Sequence, residues 1–263
     1  MQSQQPIGFF DSGVGGTSIW KEVHRLLPDE STVYLADSKN APYGERTRSQ
    51  IIALSIRNTE LLLKHNCKLI VVACNTATTN AIEHLRKSYD LPFIGIEPAI
   101  KPAALHSKSG VIGILATKGT LSSSLFHQTM RLHTSGIKTV EQVGDGLVPL
   151  IEAGKIYTGE MKELLQGYLR PMLEANIDKL VLGCTHYPYL IPVLKELLPA
   201  RIEIVDSGAA VAKQTKAILQ QQNLLEQNGK KPFHHFYTNK DKNLLSLFLK
   251  DVSFDVQIQF KDF

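Results

Sequence analysis

Cysteine and tryptophan are scarce in this 263-residue chain, with three of the first and one of the second. An odd, low cysteine count argues against a disulfide framework and for a reducing compartment. No apolar stretch approaches the roughly 20 residues a membrane helix requires. The polar opening Met1–Gln5 leads straight into a strand-like run rather than a signal-type segment, so the expected address is the cytoplasm. Strong charge bias is missing too: 29 Lys and Arg against 25 Asp and Glu leave a net charge of +4. Only Lys230–Lys242 concentrates basic residues, mixed with histidines, and no aromatic-plus-basic RNA-binding signature accompanies it. We read it as a solvated face and expect neither nucleic acid nor a membrane as partner.

What is present is ordinary for a globular protein, 43% hydrophobic and 21% charged, at a length that fits one large unit or two smaller ones. Short apolar runs alternate with helical periodicity. Ile7–Phe10, Thr32–Leu35, Leu69–Ala73 and Phe93–Ile96 read as buried strands, with helical patterns over Trp20–Leu27 and Ser49–His65. The second half repeats the scheme with Val111–Leu115, Thr139–Val143, Lys179–Leu182 and Glu203–Val205. Continuous β-branched runs between helices predict parallel strands buried on both faces, an α/β fold.

A weak internal repeat sharpens this. Ile7–Ser12 resembles Ile112–Thr117 at a displacement of 105, and Val71–Thr76 resembles Val181–His186 at 110. Two matches in the same order imply two similar α/β units. We place one at residues 1–97 plus 207–263 and the other at 98–206. The boundaries rest on the Glu97–Pro98 step, which disfavours helix continuation, and on a second crossing near Asp206–Gly208.

Cys74 and Cys184 carry the strongest chemical signal. Each ends an apolar strand and precedes small polar residues that open a helix, where open α/β sheets bind their ligands. A thiol there feels the helix dipole and backbone N–H groups, which predicts a lowered pKa and a base suited to neutral pH. A lone cysteine is more often just a small buried hydrophobe. Matched positions in a repeat favour chemistry instead. Cys67 lacks that context and reads as inert. Neither Cys74 nor Cys184 has a CxxC partner, and Cys184 with His186 is too small a set for zinc.

Asp11-Ser12-Gly13-Val14-Gly15-Gly16-Thr17 follows the first strand and allows a tight turn with N–H groups close to an anion. As a dinucleotide fingerprint it fails, because Ser18 stands where the third glycine belongs. Asp37 nonetheless sits near the spacing of a ribose-binding acid, which keeps a small-anion or nucleotide module as a rival. Ala41-Pro42-Tyr43-Gly44 is a turn by composition, placed after the second strand at the sheet edge of Asp11 and Cys74.

Together these segments resemble the glutamate racemases of the aspartate/glutamate racemase superfamily. The resemblance runs through Phe10–Gly16, Ala36–Ser38 with Pro42–Gly44, Ala73–Ala77, Pro149–Glu152 and Leu182–Pro188, most of the chain. It implies two α/β domains with the active site between them, and interconversion of L- and D-glutamate for peptidoglycan without pyridoxal phosphate or metal. It further implies that Cys74 takes the Cα proton of D-glutamate and Cys184 that of the L-enantiomer, assisted by Asp11 on one side and by Glu152 and His186 on the other. Asp11, Ser12, Pro42, Tyr43, Gly44, Asn75, Thr76, Thr117, Thr120, Thr185 and His186 match substrate-holding positions. The family often forms dimers, so a homodimer is expected by analogy, and the short N-terminus predicts no activation by a peptidoglycan precursor. Another racemase of the superfamily, acting on aspartate, is the nearest rival. The logic is sound without the family: inverting a stereocentre by proton transfer needs one base on each face of a planar carbanion, and a closing cleft would exclude water.

Overall fold

The computed structural model describes residues 2–227, 229–252 and 255–263. The chain begins β1 (Ile7–Asp11), α1 (Thr17–Leu26), β2 (Thr32–Ala36), α2 (Arg48–Lys64), β3 (Leu69–Val72), α3 (Asn75–Ser88) and β4 (Phe93–Gly95). It continues through α4 (Ile100–His106), β5 (Val111–Ala116), α5 (Lys118–Leu121), α6 (Ser124–His133) and β6 (Lys138–Val143). Then come α7 (Leu147–Glu152), α8 (Gly159–Glu174), β7 (Lys179–Gly183), α9 (Ile191–Leu197) and β8 (Glu203–Val205). The last stretch is α10 (Gly208–Gln221), β9 (His234–Thr238), α11 (Lys242–Leu247) and β10 (Gln257–Phe260). The expected strands are all there, within a residue or so at their ends.

Two parallel sheets result, ordered β10-β9-β2-β1-β3-β4 and β6-β5-β7-β8. The order β2-β1-β3-β4 is thus repeated as β6-β5-β7-β8, and the register repeats as well. Phe9 pairs with Val71 in the first sheet, and their counterparts 105 and 110 residues on, Ile114 and Val181, pair in the second. The five extra residues between the two displacements are absorbed by the connections, not by the strands. Central strands read as unbroken apolar runs because both faces are covered: β1, β2 and β3 are buried at every residue. Side chains from both sheets join in one continuous core that includes Ile7, Phe9, Leu115, Leu182 and Tyr187.

Local signals start the helices. Thr47 and Gln50 form a reciprocal capping box at α2, and Thr158 caps α8. The chain passes between sheets twice, after β4 and after β8, and Ser207 Oγ donates to Glu97 O at 2.5 Å, which sets the two passages side by side.

The basic stretch departs from expectation. Lys230, Lys231, Lys240 and Lys242 are exposed, but its middle is β9, paired in parallel with β2, with His234, Phe236 and Thr238 buried. The alternation of buried and part-buried residues along β9 is a strand period that the flanking charges obscured. Among the described residues, no helix is long and apolar enough to cross a membrane.

Candidate active site

The carboxyl ends of β1, β3, β5 and β7 converge on one narrow cavity. Ser12, Pro42, Tyr43, Gly44, Cys74, Asn75, Thr76, Thr117, Val148, Cys184, Thr185 and His186 line it. It has room for about one water molecule, some 10 Å³. A second depression lined by Pro42, Gly44, Glu45, Thr117, Lys118 and Val148 adjoins it. The repeat reappears in this lining: Ser12 matches Thr117, Cys74 matches Cys184, Asn75 matches Thr185 and Thr76 matches His186, at the same displacements of 105 and 110.

On the first side Cys74 is itself the N-cap of α3, its sulfur accepting from Ala77 N–H at 3.4 Å, with Ser12 Oγ 3.7 Å away. Asp11 lies fully buried behind it, accepting from Gly13 N–H at 2.8 Å and from Thr185 Oγ1 at 3.1 Å. Burial pushes the Asp11 carboxyl up to about 6, against the pull of His186 and of the Gly13 N–H. The expected lowering of the Cys74 pKa is reversed. Burial, reinforced by the Asp11 charge, drives this thiol well up, and the opposing Ala77 N–H and Ser12 hydroxyl are the weaker influence. The helix N-terminus is present as expected, but desolvation outweighs it.

On the second side Cys184 leads not into a long helix but into a 3-10 turn, Tyr187–Leu190. Its Sγ faces His186 Nδ1 at 3.8 Å, and the ring's Nε2 meets Glu152 Oε1 at 2.7 Å. Burial opposes charge on this ring, yet hydrogen bonds to Cys184 and Glu152 outweigh it and hold His186 well above its ordinary value. The arrangement is a thiol backed by an imidazole that is oriented by a carboxylate, the geometry of an assisted thiol base.

The glycine turn has a different purpose from cradling a phosphate. A Cβ added at Gly13 would stand 2.0 Å from Glu152 Oε1, and one at Gly15 would stand 2.2 Å from His186 Nδ1. The turn is bare because Glu152 and His186 of the other half press into it. Asp37 is likewise spoken for: its carboxylate, fully buried, accepts from Asn40 at 2.7 Å, Tyr43 at 2.5 Å and Asn239 at 2.5 Å. Those bonds tie it to the Pro42–Gly44 turn and leave a ribose no acid to bind.

Most expected site residues therefore meet at this cavity, and three, Asp11, Thr120 and Glu152, stand behind its lining. Thr120 is fully buried behind the lining, where it accepts from Thr117 Oγ1 at 3.0 Å and so supports that residue. Glu152 stands behind His186. Val148 was missed, although it lies four residues before Glu152 on α7 and so on the same helical face. Cys67 packs under Gly8, its thiol pushed by burial up to about 12, away from this cavity. Among the described residues, no group of three or more His, Cys, Asp or Glu is arranged to hold a metal ion.

Similarity to known proteins is extensive. The Asp/Glu/Hydantoin racemase family matches residues 15–215. A glutamate racemase of Ectopseudomonas mendocina is 48% identical over 225 residues, which cover 85% of this chain and 86% of that protein. Among solved structures, a glutamate racemase from Bacillus anthracis superposes with a TM-score of 0.89 at 30% identity, covering 99% of this chain and 98% of that one. The Escherichia coli glutamate racemase, in complex with L-glutamate and the activator UDP-MurNAc-ala, gives 0.86 at 32% identity, covering 98% of each.

Proposed function

The chain belongs to the Asp/Glu/Hydantoin racemase family, with glutamate racemases as its relatives, and from that premise we propose that it inverts glutamate by moving one Cα proton between two thiols. What carries the proposal is that Cys74 and Cys184 occupy matched strand ends of two matching sheets and line a single cavity. One sulfur then serves each face of the planar carbon. Cys74 takes the proton of D-glutamate and Cys184 that of L-glutamate, the opposite thiol delivering the replacement.

The raised basicity of Cys74 serves this chemistry. A sulfur that is hard to ionise is a stronger base once ionised, which abstraction of a weakly acidic Cα proton demands. The ammonium of the incoming amino acid supplies the positive charge that favours the thiolate. Asn75 lines the cavity and its buried Oδ1 has no partner among the described residues, an acceptor suited to that ammonium. The Ser12 hydroxyl is a donor for a substrate carboxylate, and those of Thr76, Thr117 and Thr185, bonded to neighbouring side chains in the shut cavity, become donors by turning towards the substrate, where they stabilise the developing carbanion. On the second side an imidazolium at His186 suits an anionic sulfur, with Glu152 holding the ring.

We divide the molecule into units 1–97 with 207–263 and 98–206, the cavity lying between them. In the cell the product D-glutamate serves peptidoglycan synthesis in the cytoplasm, and by analogy within the family the assembly is a homodimer. The test is D-glutamate in deuterated buffer with Cys74→Ser and Cys184→Ser prepared separately. Racemisation is expected to fall by about 10³-fold or more in each, as when a unit of catalytic groups loses one member. Near-normal turnover in either variant sinks the two-thiol mechanism, and faster exchange on aspartate than on glutamate reassigns the substrate.

A further inference from the structure

Outside the cavity, the corner between β1 and α1 grips the Cys184 loop at several points. Val14 N–H donates to Glu152 Oε1 at 2.7 Å, Ser18 Oγ donates to Thr185 O at 2.9 Å, and Thr17 Oγ1 lies 2.5 Å from the Tyr189 hydroxyl. Thr17 has one hydroxyl proton, and it is committed to Val14 O at 2.6 Å. In the Thr17–Tyr189 contact the tyrosine is therefore the donor. Tyr189 sits three residues after His186, with its N–H bonded to His186 O at 3.2 Å.

The bonds close a circuit. It runs from Tyr189 to Thr17, to the carbonyl of Val14, across that residue to its N–H, then to Glu152 Oε1, to His186 Nε2 and along the backbone back to Tyr189. The turn carrying His186 is thus tied to Val14 of the other half by two routes, through Thr17 and through Glu152, and Gly15 N–H adds a direct bond to the ring, 3.3 Å from Nε2. Neither Thr17 nor Tyr189 lines the cavity. We propose that Thr17 and Tyr189 are positioning residues that brace the His186 turn, setting the ring against Cys184 and thereby governing proton transfer on that side of the cavity rather than on the Cys74 side. The inference rests on the two-thiol function above.

A racemisation has an equilibrium constant of one, so kcat/KM must fall equally in both directions whichever side is damaged. The side shows instead in isotope effects on the substrate α-proton. If transfer at Cys184 slows, it limits the rate more, and the α-deuterium effect on kcat/KM rises for L-glutamate while that for D-glutamate falls. Tyr189→Phe and Thr17→Val each remove one hydroxyl and keep the shape, and Thr17→Ser keeps the hydroxyl. We expect kcat/KM to drop roughly fivefold in Tyr189→Phe, the scale of one lost hydrogen bond, and by more in Thr17→Val, which loses two, with opposite movement of the two isotope effects and recovery in Thr17→Ser. Unchanged rates overturn the brace. So does an equal loss with both isotope effects unmoved, which marks a general structural role. If the unaltered protein does not exchange the α-proton of glutamate, the two-thiol function fails at its own test and the brace falls with it.

Discussion

The corner that carries Cys74 and the corner that carries Cys184 share strand order and register but differ in how the sulfur is assisted. Asp11 on the first side has Ala116 as its counterpart 105 residues on, and His186 on the second has Thr76 as its counterpart 110 residues back. One side keeps a buried acid beside a helix-capping thiol. The other keeps an imidazole and a carboxylate behind a thiol that opens a 3-10 turn. A duplicated scaffold therefore offers the symmetry that the proposed reaction would need, two bases about one carbon, without supplying mirror-image surroundings. The two enantiomers of an amino acid are mirror images while the protein is not, which fits two thiols with different neighbours.

The comparison breaks most sharply at His186. His186→Asn removes the ring behind Cys184, and kcat is expected to fall by about 10³-fold, the middle of the range for a positioned acid–base group, as read by polarimetry from either enantiomer. Retention of more than a tenth of the activity would make the two sides equivalent and the imidazole ornamental. Asp11→Asn probes the other side through stability. The folded carboxyl is raised from 3.8 to about 6, so the folded state binds more protons than the unfolded one between those values, and stability declines as pH rises through that window. Above it the ionised acid costs up to about 3 kcal/mol. The asparagine variant should be more resistant to denaturant than the parent at pH 7–8, with the gain shrinking towards pH 4. A gain independent of pH would mean that Asp11 is not the titrating group. The mildest of the three is Gly15→Ala, whose Cβ displaces the His186 ring by up to an ångström and is expected to cost about 10²-fold in kcat with the fold intact by circular dichroism.

The strands, the repeat and both cysteines were legible because burial on two faces writes itself as unbroken apolar runs, and because the Cys-Asn-Thr and Cys-Thr-His segments recur at matching places. β9 and β10 were not. The partner of β9 in the sheet interior, β2, is distant in the chain, and the lysines around His234–Thr238 mask a buried strand, while edge strand β10 reads as polar Gln257-Ile258-Gln259-Phe260. The basicity of Cys74 was misjudged for a related reason. A helix N-terminus can be read from local spacing, whereas desolvation depends on what the rest of the fold stacks over the sulfur. Val148 and the supporting place of Thr120 needed three dimensions, since both depend on which side of a short helix faces the cavity.

The two passages between the halves, pinned together by the Ser207–Glu97 bond, have a mechanical consequence. A cavity sized for a single water admits no amino acid while shut. Two covalent straps running side by side behave as a door hung on a short hinge: they leave one easy swing and resist both sliding and twist. Opening on that axis would carry Cys184, Thr185 and His186 away together and would have to break the Val14–Glu152 and Thr17–Tyr189 bonds along the seam. The second base, Cys184 with His186 and Glu152, would stay whole on its own half and lose only the brace that Val14, Gly15 and Thr17 lend it.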